Sequence, residues 1–329
     1  DEASTKYIFP EIKPDYMLMT NLFRDQLDRY GEIDITMNIL ESMIKTLPEM
    51  KVIVNGDDAL SAYLAMDSGN PCIFYGISQP VMKNETNEIR EGRFCKRCGA
   101  KLEYSFYHYS QLGDYLCPEC GFKRPDPDFD AYDVKVGDRL SFRVENRLIS
   151  ADYKGFYNVY NILAAYAGIR SAGFSAEHFQ DMLKRFNPEN GRMEQFRISG
   201  TGVTLNLAKN PAGFNQNISA VMQDTAPKDV IIVINDNAQD GIDISWLWDV
   251  DFDLFREESI RSITVSGIRC YDMRLRLKYV DISSELEENV ENAIRKRISD
   301  GTGNLYVLVN YTALFSTRNI LKRLEEERK

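Results

Sequence analysis

The chain carries four cysteines in the spacing C-x2-C-x18-C-x2-C, at Cys95, Cys98, Cys117 and Cys120. No other feature limits its fold so sharply. Each C-x-x-C pair can turn back on itself and present two thiolates to one ion, and zinc takes four such ligands tetrahedrally. Gly99 and Gly121, each directly after a pair, permit the tight turns this needs. A closed thiolate shell predicts a structural zinc site, because a catalytic zinc keeps one position open. The metal would stand in for the core that a module of roughly 40 residues cannot build alone. With the shell complete, His108 is expected to be an exposed loop residue. Cys72 and Cys270 sit in apolar surroundings and are expected in the core.

Around this segment the sequence alternates between helical and strand periods. Tyr16-Met17-Leu18-Met19 is a short apolar run ending at Thr20-Asn21, and Ile35, Ile39, Leu40, Met43, Ile44 and Leu47 fall on one helical face. Val52 to Val54 reads as a strand ending in Asn55-Gly56-Asp57-Asp58, Ala59 to Met66 as a helix, and Cys72 to Gly76 as a further strand. This rhythm predicts a parallel sheet covered by helices. Residues 84–130, polar and aromatic, break it and read as an inserted ribbon. Leu140 to Val144 resumes strand character, and Val159 to Ala167 is a small-residue helix. Phe186-Asn187-Pro188 and Gly191 mark a boundary. Beyond it, strands are expected at 203–207, 230–234, 262–265 and 305–309, with helices between them and a charged helix over 314–326. The expected organisation is one α/β domain over 1–190, interrupted by 84–130, and a second over 191–329.

Composition excludes several functions. A net charge of −10 argues against a nucleic-acid partner, whose phosphates would be repelled over most of the surface. No apolar run approaches the roughly 18 residues of a membrane span, and no leader of a basic then apolar kind opens the chain. Four of six cysteines lie in C-x-x-C pairs, which points to metal ligation in a reducing compartment rather than a disulfide framework. The chain begins at Asp1 without a Met, so it is expected to start inside a longer protein.

Several local motifs carry a resemblance. They are T-N-L-F-R-D-Q-L-D-R-Y-G at Thr20–Gly31, N-G-D-D at Asn55–Asp58, G-F-Y-N-V-Y-N at Gly155–Asn161 running into Ala164-Ala165, G-R-M-E at Gly191–Glu194, and N-L-A-K-N-P at Asn206–Pro211. In this order they resemble the Mur ligases, which join amino acids to peptidoglycan precursors. The four-cysteine insertion and N-D-N-A-Q-D-G-I-D-I-S-W at Asn235–Trp246 narrow the likeness. Together they resemble the MurT-type ligase subunits of lipid II isoglutaminyl synthase. Such subunits add ammonia supplied by a glutaminase partner, GatD.

The resemblance implies a Mur ligase-type central ATP-binding domain bearing a four-cysteine zinc ribbon, then a Rossmann-like C-terminal α/β domain. It implies ATP and Mg2+, lipid II as substrate, and work at the cytoplasmic face of the bacterial membrane. Asn21, Asn158 and Asn161 would serve the nucleotide, the last two contacting adenine from one helix face. Arg192 would contact phosphate or bridge the domains. Asp57 and Asp58 follow a strand end, where α/β ligand sites gather, or form a helix N-cap with its neighbour. Lys209 would neutralise an acyl phosphate. One of Asp236, Asp240 and Asp243 would be lent to the partner's Cys-His site; otherwise the three serve turns.

This sequence departs from the family pattern in three places. No G-x-x-x-x-G-K-[ST] phosphate loop occurs in the chain, so one is expected upstream of Asp1, and the chain alone is expected not to hydrolyse ATP. Gln26 stands where the family has His. Leu40 falls near the position of the family's carbamylated lysine. Glu41 beside it would supply a similar charge for magnesium or lie on an exposed helix face. Asp1 and Glu2 would be the remnant of an acidic strand end. The rival functions are an amino-acid ligase of the Mur or folylpolyglutamate type, and a binding module that docks through its ribbon.

Overall fold

The computed structural model describes residues 2–24, 31–81, 91–137, 139–152, 154–186, 191–299 and 303–327. Asp1 and Gln26, and with them 25–30 of the first motif and Asn187-Pro188 of the boundary loop, lie outside the described residues. The chain divides into two compact units, one formed by Asp1–Arg24 with Tyr30–Phe186, the other built on Asn187–Lys329.

In the first unit a six-stranded sheet has the order β1 (Tyr16–Met19), β2 (Lys51–Asn55), β3 (Cys72–Ile77), β6 (Phe129–Lys135), β7 (Leu140–Val144) and β8 (Arg147–Ala151). Its first four strands are parallel, and β7 pairs antiparallel with both β6 and β8. Val52, Ile53 and Val54 are buried on both faces, as the continuous apolar run of an internal parallel strand requires. After the short helix α1 (Thr5–Ile8), helix α2 (Ile33–Lys45) buries Ile33, Met37, Leu40 and Ile44, and Glu41 pairs with Lys45 at 2.5 Å. Helix α3 (Ala59–Ser68) has no polar face over its first turns: Ala59, Leu60, Ser61, Ala62, Leu64 and Ala65 are all buried. The reason lies on its two sides. Leu60, Leu64 and Ala65 pack in the core beneath β2, whereas Ala59 and Ala62 join Cys95, Leu102, Tyr115, Cys117 and Phe122 of the ribbon.

The ribbon is a hairpin of β4 (Glu103–Tyr109) and β5 (Leu112–Leu116) flanked by the two cysteine turns. Phe129 and Asp130, read from sequence as the end of the insertion, already belong to β6, where Phe129 pairs with Tyr75. Helix α4 (Tyr157–Ser171) buries Val159, Tyr160, Ile162, Leu163, Ala164, Tyr166 and Ala167 in the first unit's core. Helix α5 (Phe179–Arg185) closes the unit, its Phe179 packing edge-on to Tyr166.

The second unit is a sheet of order β13 (Glu285–Leu286), β12 (Ile260–Ser266), β11 (Lys228–Val233), β14 (Asn304–Val309), β10 (Thr201–Leu207) and β9 (Glu194–Ile198). All neighbours are parallel except the edge strand β9. Helices α6 (Pro211–Met222), α7 (Cys270–Lys278), α8 (Val290–Ser299) and α9 (Tyr311–Glu326) connect and close it. Cys270 is buried as expected, but Cys72 is only half-buried, its thiol lying 3.3 Å from the Ala65 carbonyl.

Candidate active site and metal centre

Two matching turns present the cysteines. The Cys95 N–H donates to the Ala100 carbonyl and the Gly99 N–H returns to the Cys95 carbonyl, both at 2.8 Å; Cys117, Phe122 and Gly121 repeat the pattern at 2.7 and 3.1 Å. Gly99 and Gly121 adopt φ of +80° and +73°, the left-handed conformation the turn demands. The four sulfurs lie within 4.8 Å of one another, with Cys95 and Cys120 3.6 Å apart and Cys98 and Cys117 3.5 Å apart. Four sulfurs at a zinc bond length of about 2.3 Å stand roughly 3.8 Å apart along a tetrahedron's edges, so the set fits one zinc. The Cys120 N–H, against the opposing effect of burial, and the Glu119 N–H draw the Cys117 thiol down to about 7, toward the thiolate a metal takes.

His108 is not an exposed loop residue. It is 4% exposed, with Nε2 2.8 Å from the Gln79 carbonyl and Nδ1 2.5 Å from the Tyr160 hydroxyl. Its partners lie 29 and 52 residues away, so no local pattern marks its burial. The single Tyr160 hydroxyl proton lies between two buried acceptors, Asp57 Oδ2 at 2.7 Å and Nδ1 of the neutral His108, whose Nε2–H donates to the Gln79 carbonyl; Asp57 Oδ2 also accepts the Ile77 N–H at 2.8 Å, and Arg124 Nε donates to Asp57 Oδ1 at 2.6 Å. Burial lifts the Tyr160 hydroxyl well above 10, with the Asp57 charge acting in the same direction, so it remains a donor. Burial pushes His108 below its ordinary 6.5, against the pull of Asp57. Nothing larger than glycine fits beneath this cluster, since a Cβ on Gly76 would stand 2.4 Å from Asp57 Oδ1.

Asp57 and Asp58 are fully buried at the carboxyl end of β2. Asp58 caps α3 through the Leu60 N–H at 3.3 Å and also accepts from Ser61 Oγ, the Leu22 N–H and Gln111 Nε2. Of the two sequence alternatives, the cap describes Asp58. Asn21 lies in the loop after β1, which is held by that Leu22 bond and by Gln111 Nε2 on the Leu22 carbonyl at 2.7 Å. Asn158 and Asn161 share the open face of α4, 3.3 Å apart, with Asn158 also donating to the Lys154 carbonyl. Tyr160 faces inward between them and joins that helix turn to Asp57. The loops after β1 and β2 and the start of α4 therefore meet at one sheet end, as ligand sites do in α/β folds.

The second unit brings other residues together. Gly191, at φ +71°, accepts the Leu207 N–H at 2.7 Å, which ties the turn carrying exposed Arg192 to the end of β10; Lys209, two residues beyond that strand, is half-buried. Asn210 caps α6 through the Gly213 N–H at 2.8 Å, with Pro211 at the first helical position. The three aspartates follow β11 and differ in their bonds. Asp236 pairs with Arg269 at 2.8 Å. Asp240, 7% exposed, accepts from the Thr312 N–H and hydroxyl and from the Asn237 N–H. Asp243 accepts the Ser245 N–H at 2.8 Å and is half-buried.

This architecture has known counterparts. A pseudomurein peptide ligase type C from Methanothermus fervidus superposes with a TM-score of 0.73 at 23% identity, over 94% of this chain and 63% of that one. UDP-N-acetylmuramate-alanine ligase MurC from Thermotoga maritima superposes at 0.64 and 16% identity, over 100% of this chain and 63% of that one. The fold is therefore that of the Mur ligases, carrying an inserted four-cysteine cluster. Residues 207–314 match the MurT ligase C-terminal family. The MurT subunit of lipid II isoglutaminyl synthase (glutamine-hydrolysing) from Staphylococcus aureus strain COL is 34% identical over 316 residues, 95% of this chain and 71% of the relative. The chain belongs to the MurT family of ligase subunits.

Proposed function

We propose that this protein amidates the D-glutamate α-carboxyl of lipid II, in peptidoglycan biosynthesis, with ammonia from a GatD-like glutaminase subunit. The observation that carries the reading is the 34% identity to a MurT subunit over 95% of the chain. A carboxylate resists attack because its charge is shared by both oxygens. Transfer of the γ-phosphoryl group of ATP to one oxygen gives an acyl phosphate and ADP; ammonia then attacks the carbonyl carbon, inorganic phosphate leaves, and one proton is lost from nitrogen. Magnesium would neutralise phosphate charge. The chain's own part is positioning and charge.

Asn158 and Asn161 present amides for adenine on an accessible helix face, with Asn21 in the adjoining loop. Asp57 and Asp58, with their oxygens engaged by protein donors, would hold those elements rather than touch nucleotide. Arg192, next to Gly191, and Lys209, just beyond β10, suit phosphate and the acyl phosphate. Zinc holds the ribbon and takes no part in bond making. Ammonia at neutral pH is mostly ammonium, which favours direct supply from a bound glutaminase, and one aspartate of the loop after β11 would orient that partner's histidine. Asp240 is occupied by the start of α9, which favours Asp236 and Asp243 for this role.

The protein would work in the cytoplasm at the membrane's inner face; among the described residues no helix is long and apolar enough to cross a membrane. The test is co-purification of the full-length protein with a glutaminase, followed by separate Asp236→Asn and Asp243→Asn changes. One of the two is expected to abolish glutamine-driven amidation while the complex stays intact and added ammonium salts still support the reaction. Full glutamine-driven activity in both variants would overturn the shared-aspartate assignment. Addition of an amino acid in place of an amide would move the protein to another ligase class.

A further inference from the structure

The ribbon reaches the first-unit elements assigned above to the nucleotide. Gln111, fully buried between β4 and β5, bonds the Leu22 carbonyl and Asp58. The Gly113 N–H donates to the Asp57 carbonyl at 3.0 Å, and the Tyr115 hydroxyl to the Gly56 carbonyl at 3.1 Å. His108, at the far end of β4 from the cysteines, meets Tyr160 in the first turn of α4. Its ring also packs edge-on to Phe156 at 5.3 Å, and Tyr109 packs on Phe156 and Tyr160. Among these contacts, His108–Tyr160–Asp57 is the polar chain that runs from the metal-stabilised hairpin through the adenine helix to the sheet. All its members are at most 4% exposed. The one Tyr160 proton bonds either His108 Nδ1 or Asp57, and both neighbours are themselves fixed, His108 by its Nε2–H on the Gln79 carbonyl and Asp57 by Arg124 and the Ile77 N–H, so the chain fixes how the open face of α4 stands to the loop after β2.

We propose that His108 is a positioning residue for nucleotide binding: through Tyr160 and Asp57 it makes the zinc ribbon a brace that sets Asn158 and Asn161. The proposal rests on the reading that those two residues contact adenine. It predicts that zinc occupancy and nucleotide affinity are coupled within the first unit, although the metal touches no substrate.

The experiment uses the full-length, zinc-loaded ligase subunit, with affinity for a non-hydrolysable ATP analogue and Mg2+ measured by calorimetry. Zinc content and thermal midpoint are recorded alongside. The variants are His108→Phe, Tyr160→Phe, their double, and Asn161→Ala. The Phe replacements keep ring packing and remove only the polar links. His108→Phe and Tyr160→Phe are each expected to keep one zinc per chain and to weaken the analogue about tenfold, the scale of one buried hydrogen bond. The double is expected to lose no more than either single change, because both cut the same chain. Stripping zinc with a chelator should weaken wild type and leave Tyr160→Phe little further changed.

Wild-type affinity in Tyr160→Phe, with Asn161→Ala weakened, would overturn the brace and leave the nucleotide reading standing. Additive losses in the double would also overturn it, in favour of general packing. Should His108→Phe lose zinc or fail to fold, Tyr160→Phe alone decides. Unchanged affinity in Asn161→Ala would remove the adenine assignment, and the proposal with it.

Discussion

At the scale of single residues, the N-G-D-D turn rests on a buried ion pair. Asp57 is fully buried and Arg124, from the ribbon's return, is its cationic partner at 2.6 Å. Removing one member of such a pair strands the other charge in a dry site. Arg124→Met is therefore expected to cost about 3–5 kcal/mol in urea unfolding, and adding Asp57→Asn should recover part of it; a loss under about 1 kcal/mol would mean water reaches the carboxylate. His108 gives a pH signature. Its folded-state pKa lies below the ordinary 6.5, so the unfolded chain binds more protons, and this contribution to stability is complete above 6.5 and lost as pH falls through the folded value. Wild type should lose stability relative to His108→Phe over that window, compared at equal zinc content; parallel profiles would show that the imidazole is not held neutral. These roles were only partly legible beforehand. The cysteine spacing is local and readable, whereas the bond from His108 to Tyr160 spans 52 residues and leaves no periodic trace.

At the scale of elements, the ribbon and α3 share one small core. Ala59 and Ala62 of the helix lie with Cys95, Cys117, Leu102 and Phe122. The helix reads as buried all round for that reason, and losing the metal should expose one of its faces. Cys117→Ser is expected to abolish zinc retention and lower the thermal midpoint of the first unit; an unchanged midpoint with zinc lost would show that the ribbon folds independently of its metal. Strands with apolar runs are readable: Leu140–Val144 matches β7 in both bounds, and the Val52–Val54 reading lies inside β2. The hairpin strand Glu103–Tyr109 and the edge strand Glu194–Ile198 are not. Both are polar or aromatic, and they are strands because a partner pairs with them rather than because of their own pattern.

At the scale of the whole molecule, family membership and fold agree with what the ordered motifs implied. Asp236, Asp240 and Asp243 look alike in sequence and differ only in what the fold gives them to bind. The proposed activity is transfer of a glutamine nitrogen to lipid II. The most direct measurement supplies the full-length protein and its glutaminase with ATP, lipid II and glutamine carrying an isotope label on its side-chain nitrogen, and reads the product by mass spectrometry. The D-glutamate α-carboxyl is expected to become an amide bearing the label, with ADP and phosphate formed in equal amounts. An unlabelled product, or one extended by an amino acid, would contradict it.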